Sequence, residues 1–462
     1  MTPARAAEGA DNDEARAGWS LAAVGLAVRL AVVLWAAPRF PPVEDGHFYD
    51  VVAGRIAAGL GYTWLWPDGA VTYAAHYPVG YPALVGLGYA LFGPHPVVAM
   101  VENALLGAVA VRAVHGLVWT TGSRRAATAS AVLAALHPGL VLYVPALMTE
   151  GAAAALVVVA AWLAVRGDVT SRRASFVRVV GSGVALGAAT LVRPQVLLFA
   201  PLFGLLAGSA WKARAWAAVV TTGVALAVCS PWTLRNCARM HSCALVSVNA
   251  GWNLYIGAAR GATGTFAPIE ALGVPPECRT VWDEAEKDAC FGRAGRAAIS
   301  GDPLRWISLV PRKLALTFDY AGAAGWYLHA SDPVAFPDRA KVVLGTVETL
   351  YERLVVLASL IAIGCSAGPR ARPRRGVSLV SGLLLFTRSA WVAHLGLVAA
   401  VALLGRDVLR RPPAFVAAAV VLGTALVHAV FFGAGRYSLV CFPALSALAG
   451  TVLTLGSRAR DN

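Results

Sequence analysis

Apolar runs, most of them long enough to cross a bilayer, recur along this 462-residue chain and are separated by short basic clusters. A segment buried in hydrocarbon has no water to satisfy its peptide groups, so such runs fold as helices. The runs lie at about 19–37, 97–119, 126–146, 151–166, 177–192, 195–210, 215–231, 345–365, 376–388, 390–405, 413–432 and 437–456. They predict an all-α polytopic membrane protein with about twelve transmembrane helices, although the shortest fall below the roughly 17 residues that spanning needs. Charged residues make up only 14% of the chain, against about 25% in soluble domains. The net charge of +14 then belongs to the clusters at helix ends. No basic stripe is interleaved with aromatics, so no nucleic-acid partner is expected.

Topology turns on Tyr81 to Phe92, which is apolar, flanked by glycine and proline, and only about twelve residues long. It is too short to span and suits an interfacial or re-entrant helix. If it does not cross, Arg124/Arg125, Arg166 to Arg173, Lys212/Arg214, Arg370 to Arg375, Arg406/Arg410/Arg411 and Arg458/Arg460 all fall on one side. The positive-inside rule makes that side cytoplasmic. The expected organisation is a cytoplasmic tail 1–18, a transmembrane module 19–231 that includes an outer loop 38–96, a large extracytoplasmic loop 232–344, C-terminal helices 345–456 and a cytoplasmic tail 457–462. The first apolar run has no evident cleavage site and reads as a retained helix.

Four of the seven cysteines, Cys237, Cys243, Cys278 and Cys290, lie in the second outer loop. An even set outside the cytoplasm suits two disulfides, with nearest-neighbour pairing expected among three connectivities. Cys229, Cys365 and Cys441 sit in apolar runs and read as small core residues.

Glu44, Asp45, His47 and Asp50 crowd the point where the first run ends. Pro41-Pro42 stops that helix, and Tyr49, Val52, Ala53 and Ile56 share one face of an amphipathic helix that follows. A carboxylate here suits general-base chemistry at a membrane surface; an N-cap at Asp45 fits the same residues. Next comes His76-Tyr77-Pro78, in an extended turn before the short interfacial helix. Glu150, Arg193, Arg235 and Arg436 stand at outer helix ends, where charge is costly and arginine suits phosphate. Snorkelling to the interface is the structural alternative. Arg29, Arg112 and His115, inside apolar runs, are ambiguous. No P-loop, GxGxxG, HExxH or CxxC pair is present, so soluble nucleotide-driven chemistry has no support.

These residues form ordered signatures: Asp45, Tyr49, Ala53, Gly59 and Gly61; Tyr77-Pro78, Gly80-Tyr81-Pro82; Pro145 and Glu150; Gly187 and Arg193-Pro194; Pro231-Trp232 and Arg235-Asn236; Asn249, Gly251, Asn253-Leu254 and Gly257; Arg436-Tyr437 and Pro443. In that order the chain resembles the GT-C superfamily of integral-membrane glycosyltransferases. It looks most like the family 39 group of protein mannosyltransferases and the lipid A aminoarabinose transferase. The resemblance implies transfer of a sugar from a polyprenyl-phosphate donor on the extracytoplasmic face of a bacterial inner or plasma membrane. The acceptor would be a glycan, lipid or protein. It implies inversion, with Asp45 as general base. Relatives often carry an Asp-Glu pair, whereas here Glu44 precedes Asp45, as a candidate helper. Tyr49, His76, Tyr81, Glu150, Arg193, Arg235 and Arg436 would bind substrate. A divalent metal held with Asp45 and His76 is left open. An O-antigen polymerase or ligase-like enzyme is the alternative within glycan assembly. A lipid-sugar transporter is disfavoured because the chain shows no internal repeat.

Overall fold

The computed structural model describes residues 3–165 and 172–455. Arg166, Arg458, Arg460 and the tail 457–462 lie outside the described residues. The architecture is almost wholly helical. Among the described residues, six helical segments are long and apolar enough to cross a membrane: Asn12–Ala36, Pro96–Trp119, Arg173–Val192, Trp211–Arg239, Pro412–Val430 and Gly435–Thr454. Four shorter apolar segments, Gly80–Phe92, Thr149–Val165, Pro194–Gly204 and Ala390–Ala402, accompany them. About twelve spans were expected. The difference arises where prolines and charges interrupt the runs: 126–146 breaks at His137-Pro138, 195–210 becomes a 3-10 turn plus a short helix, and the helix Asp338–Cys365 carries Glu348, Glu352 and Arg353.

The chain begins with α1 (Pro3–Ala36), α2 (Asp45–Ala57), a small hairpin of β1 (Thr63–Leu65) and β2 (Val71–Tyr73), α3 (Gly80–Phe92) and α4 (Pro96–Trp119). It continues through α5 (Arg124–Ala135), α6 (Pro138–Leu142), α7 (Thr149–Val165), α8 (Arg172–Val192), a 3-10 turn Pro194–Leu198, α9 (Phe199–Gly204) and α10 (Trp211–Arg239). In sequence of contact, α1 packs on α4, α4 on α7, α7 on α8 and α8 on α10. Small residues permit the last crossing. A Cβ added at Gly183 or Gly187 of α8 would lie 2.7 or 2.5 Å from the Cβ of Val224 or Val228 on α10. Close approach through small residues is how helices associate where lipid is as apolar as leucine.

Three features depart from the sequence reading. The polar residues before Trp19 are not a free tail: α1 runs back to Pro3, and both oxygens of buried Glu14 accept from the Arg112 guanidinium at 2.7 and 2.8 Å. α10 does not stop at Pro231. Proline lacks the N–H that would reach the Ala227 carbonyl, and the Ser230 hydroxyl donates to that carbonyl at 2.8 Å instead. Cys365, expected in the core, is exposed. The disulfides pair as nearest neighbours, Cys237–Cys243 and Cys278–Cys290.

α2 and α3 pack against each other within residues 38–96. Tyr49, Val52 and Ala53 of α2 are buried, and the Tyr89 hydroxyl on α3 donates to Asp50. α3 spans about 20 Å at 1.5 Å per residue, well short of the roughly 30 Å hydrocarbon core. It leaves Leu87, Leu91 and Phe92 exposed.

Two arginines bind backbone carbonyls of other elements. The Arg29 guanidinium donates to the carbonyls of Gly25, Ala134 and Ala135 at 3.0–3.2 Å, closing the open end of α5. Arg235 donates to the Tyr62 and Ala74 carbonyls, both at 2.9 Å, on either side of the β1–β2 hairpin, and lies over the Trp232 ring. Arg29→Met strands two buried carbonyls on α5 and should cost about 1–3 kcal/mol, read as a lowered unfolding midpoint in detergent. Arg235→Met should raise the rate of chymotryptic cutting at Trp64 to Tyr73 about tenfold, the factor that 1.4 kcal/mol of lost restraint supplies.

Candidate active site

Asp45 is the first residue of α2, directly after Glu44, whose backbone turns through φ 53°. As a helix cap its carboxylate would accept first-turn N–H groups. It does not. Oδ1 accepts the Tyr77 hydroxyl at 2.7 Å and Oδ2 accepts Arg436 Nη2 at 3.0 Å. The loop before α3 and the 3-10 segment Gly435–Cys441 thus meet at one carboxylate from α2.

The chain of charges extends inward. Arg436 Nε lies 3.6 Å from Glu150 Oε1, and the same oxygen accepts Arg193 Nη1 at 2.8 Å. Arg193 Nη1 also donates to the Thr149 hydroxyl at 3.0 Å. Both guanidinium carbons stand 5.3 Å from the centre of the Tyr437 ring. Helix geometry favours the placement. Glu150 sits in the first turn of α7, the positive end of the helix dipole, and Arg193 follows the last residue of α8, the negative end. Glu150 is 1% exposed, so removing either partner of its pair with Arg193 leaves a buried charge at a cost of about 3–5 kcal/mol.

These groups line a cavity of about 840 Å³, within the usual 300–1,000 Å³ of small-molecule sites. One flank is apolar, built by Val192, Leu197, Leu198, Pro201 and Val427. The other comes from the segment 232–344, through α11 (Ala250–Ala258) with Trp252 and Asn253, preceded by Asn249. Tyr49, His76 and Tyr77 complete the wall beside Asp45. Burial pushes the His76 imidazole down to about 4, so it is neutral at physiological pH.

Of the residues expected at the site, Asp45, Tyr49, His76, Glu150, Arg193 and Arg436 therefore share one cavity. Three do not. Glu44 is exposed and outside the lining, its side chain turned away by the backbone twist before α2. Tyr81 is fully buried behind Tyr49, its hydroxyl donating to Asn103 Oδ1 at 3.1 Å. Arg235 is committed to the hairpin carbonyls and is a framework residue. Tyr77, Asn249, Asn253 and Tyr437 belong to the signatures above without having been singled out as site residues, and Trp252 sits inside one of them.

A metal fits poorly. Among the described residues, no group of three or more His, Cys, Asp or Glu could hold an ion. Asp45 and His76 are two donors only, and Arg436 already holds the carboxylate that a cation would need. No step is routed through a metal.

The sequence profile of the family described as dolichyl-phosphate-mannose-protein mannosyltransferase matches residues 76–234, a stretch that contains His76, Tyr77, Glu150 and Arg193. No curated protein matches the chain. Among solved structures, the chain is similar to the oligosaccharyltransferase AglB of Archaeoglobus fulgidus, solved in complex with an inhibitory peptide and a dolichol-phosphate. Identity is 14% and the TM-score 0.47, over 96% of this chain and 50% of that one. This chain therefore spans half the length of that relative. It is also similar to ArnT of Cupriavidus metallidurans bound to undecaprenyl phosphate, with 16% identity and a TM-score of 0.42 over 96% of this chain and 78% of that one. The family match agrees with the GT-C resemblance read from the residue signatures.

Proposed function

We propose that this integral membrane protein is a glycosyltransferase that takes a sugar from a polyprenyl-phosphate donor. It passes the sugar, with inversion, to an acceptor hydroxyl on the extracytoplasmic face. The observation that carries this reading is a linked row of charges, Asp45 to Arg436 to Glu150 to Arg193, in a cavity with one apolar flank.

Each part has a chemical task. The donor is a phosphodiester, and its departing polyprenyl phosphate gains negative charge as the bond from the anomeric carbon to the phosphate oxygen breaks. Arg193 and Arg436, held in place by Glu150 and Asp45, are preorganised to meet that charge without reorienting. Arginine suits the task because it stays charged and grips phosphate oxygens in a fork. The acceptor oxygen attacks the anomeric carbon from the opposite side and loses its proton to Asp45. A carboxylate has about four lone-pair sites, so Asp45 can take that proton while Tyr77 and Arg436 orient it. The apolar flank suits the polyprenyl chain.

Asp45→Asn keeps shape and removes the base. Transfer in membranes should fall by about 10²–10⁴-fold while undecaprenyl phosphate still binds; full activity would sink the assignment. Arg436→Met should lower kcat by about 10²–10³-fold, the usual loss for one charge-stabilising donor, and weaken undecaprenyl phosphate. Arg235→Met should leave that lipid's affinity unchanged. Incubation with a panel of polyprenyl-phosphate sugars and mass analysis of the products tests the activity itself.

A further inference from the structure

The cavity wall contributed by the second outer loop has no charged side chain. From that loop come Asn249, Ala250, Trp252, Asn253 and Phe266, and Trp252 meets His76 of the first loop. The His76 and Trp252 rings meet edge to face at 5.3 Å, and Trp252 in turn meets Phe291 at 4.6 Å. Asn249 Oδ1 accepts the Ser247 hydroxyl at 3.0 Å, which leaves its NH2 group for a ligand. The Asn253 amide makes no hydrogen bond to protein among the described residues. The wall therefore offers flat aromatic surface and amides that can both donate and accept. The two arginines of the cavity lining, Arg193 and Arg436, are both committed to carboxylates, Arg193 to Glu150 and Arg436 to Asp45.

We propose that His76, Asn249, Trp252 and Asn253 form the acceptor subsite, and that it takes an uncharged sugar ring. The proposal rests on the transferase reading above for calling the bound sugar an acceptor. Sugar hydroxyls match the two amides, and the C–H face of the ring lies against aromatic carbon, whose π face is electron-rich. A phosphorylated or carboxylated acceptor would need a cation here to replace its water, and the wall has none. His76 adds no charge, since burial holds it neutral above about pH 4.

The two halves of this subsite belong to different loops, and one helix brings them together. In the helix Glu284–Gly301, Glu284 and Asp288 are four residues apart and so share a face. Glu284 Oε2 accepts the Ala75 N–H at 2.6 Å and the carboxylate also takes the His76 N–H. Asp288 Oδ1 accepts the Trp252 N–H at 2.7 Å. The Cys278–Cys290 disulfide ties the same helix to the loop before it. Glu284 and Asp288 are thus positioning residues that fix the spacing between His76 and Trp252 without touching the acceptor.

The test uses the full chain in nanodiscs with excess undecaprenyl phosphate, which occupies the arginines. Saturation-transfer NMR then reads binding of methyl glycosides of mannose, galactose and arabinose, their phosphorylated counterparts and an uncharged Ser/Thr peptide. The neutral glycosides should bind, and Trp252→Ala should weaken them about tenfold. Glu284→Ala should weaken them similarly with undecaprenyl phosphate affinity unchanged. Glu284→Gln, which keeps an accepting oxygen, should restore binding. Trp252-dependent preference for the phosphorylated glycosides or the peptide overturns the proposal, as does an absence of any Trp252-dependent binding. Loss of both lipid and glycoside affinity in Glu284→Ala overturns the positioning role. Glycoside binding without transfer from any polyprenyl-phosphate sugar would leave this subsite standing and overturn the transferase reading.

Discussion

One guanidinium joins distant parts of the chain. Arg436, near the carboxyl end, reaches Asp45 at the start of α2 and Glu150 in the first turn of α7, and Glu150 holds Arg193 at the end of α8. Four charges from four segments thus balance as two acids and two bases. None of them could be buried alone at tolerable cost. The cavity therefore exists only when the four segments are assembled, and the small-residue crossing of α8 on α10 places the Arg193 end of that assembly.

Much of this was legible in the residues, for a physical reason. Charge beside hydrocarbon is expensive, so Asp45, Glu150, Arg193 and Arg436 stand out against the apolar runs. What one sequence does not reveal is what each charge touches. Arg235 carries the same signal as Arg193, a lone cation at an outer helix end, yet it spends its donors on two carbonyls that bracket a hairpin. Arg29, left ambiguous, does the same for the end of α5. Glu44 lies beside Asp45 in sequence, but the turn before α2 sends it to the surface.

Element boundaries were harder for a related reason. Hydropathy reports solvent, while helix ends report hydrogen bonds. The apolar run ends at about Pro231, but the Ser230 hydroxyl serves the carbonyl that proline abandons, so α10 continues to Arg239 and presents Arg235. His137-Pro138 has no such rescue; the run breaks there, and its end is closed from outside by Arg29. The β1–β2 hairpin went unnoticed because its strands are three residues long. A period of two cannot be read from three residues.

The internal charge balance of the cavity has a consequence for selectivity. Each guanidinium already pairs with a carboxylate, so an entering phosphate exchanges its water for a cation whose charge is largely balanced. Free inorganic phosphate brings nothing to offset that exchange. A lipid-linked phosphate brings a hydrocarbon chain to the flank of Val192, Leu197, Leu198 and Val427, at about 0.8 kcal/mol per buried methylene. On the proposed reading, the ion pairs act as a filter that lets the membrane-borne anion in and leaves the dissolved one outside.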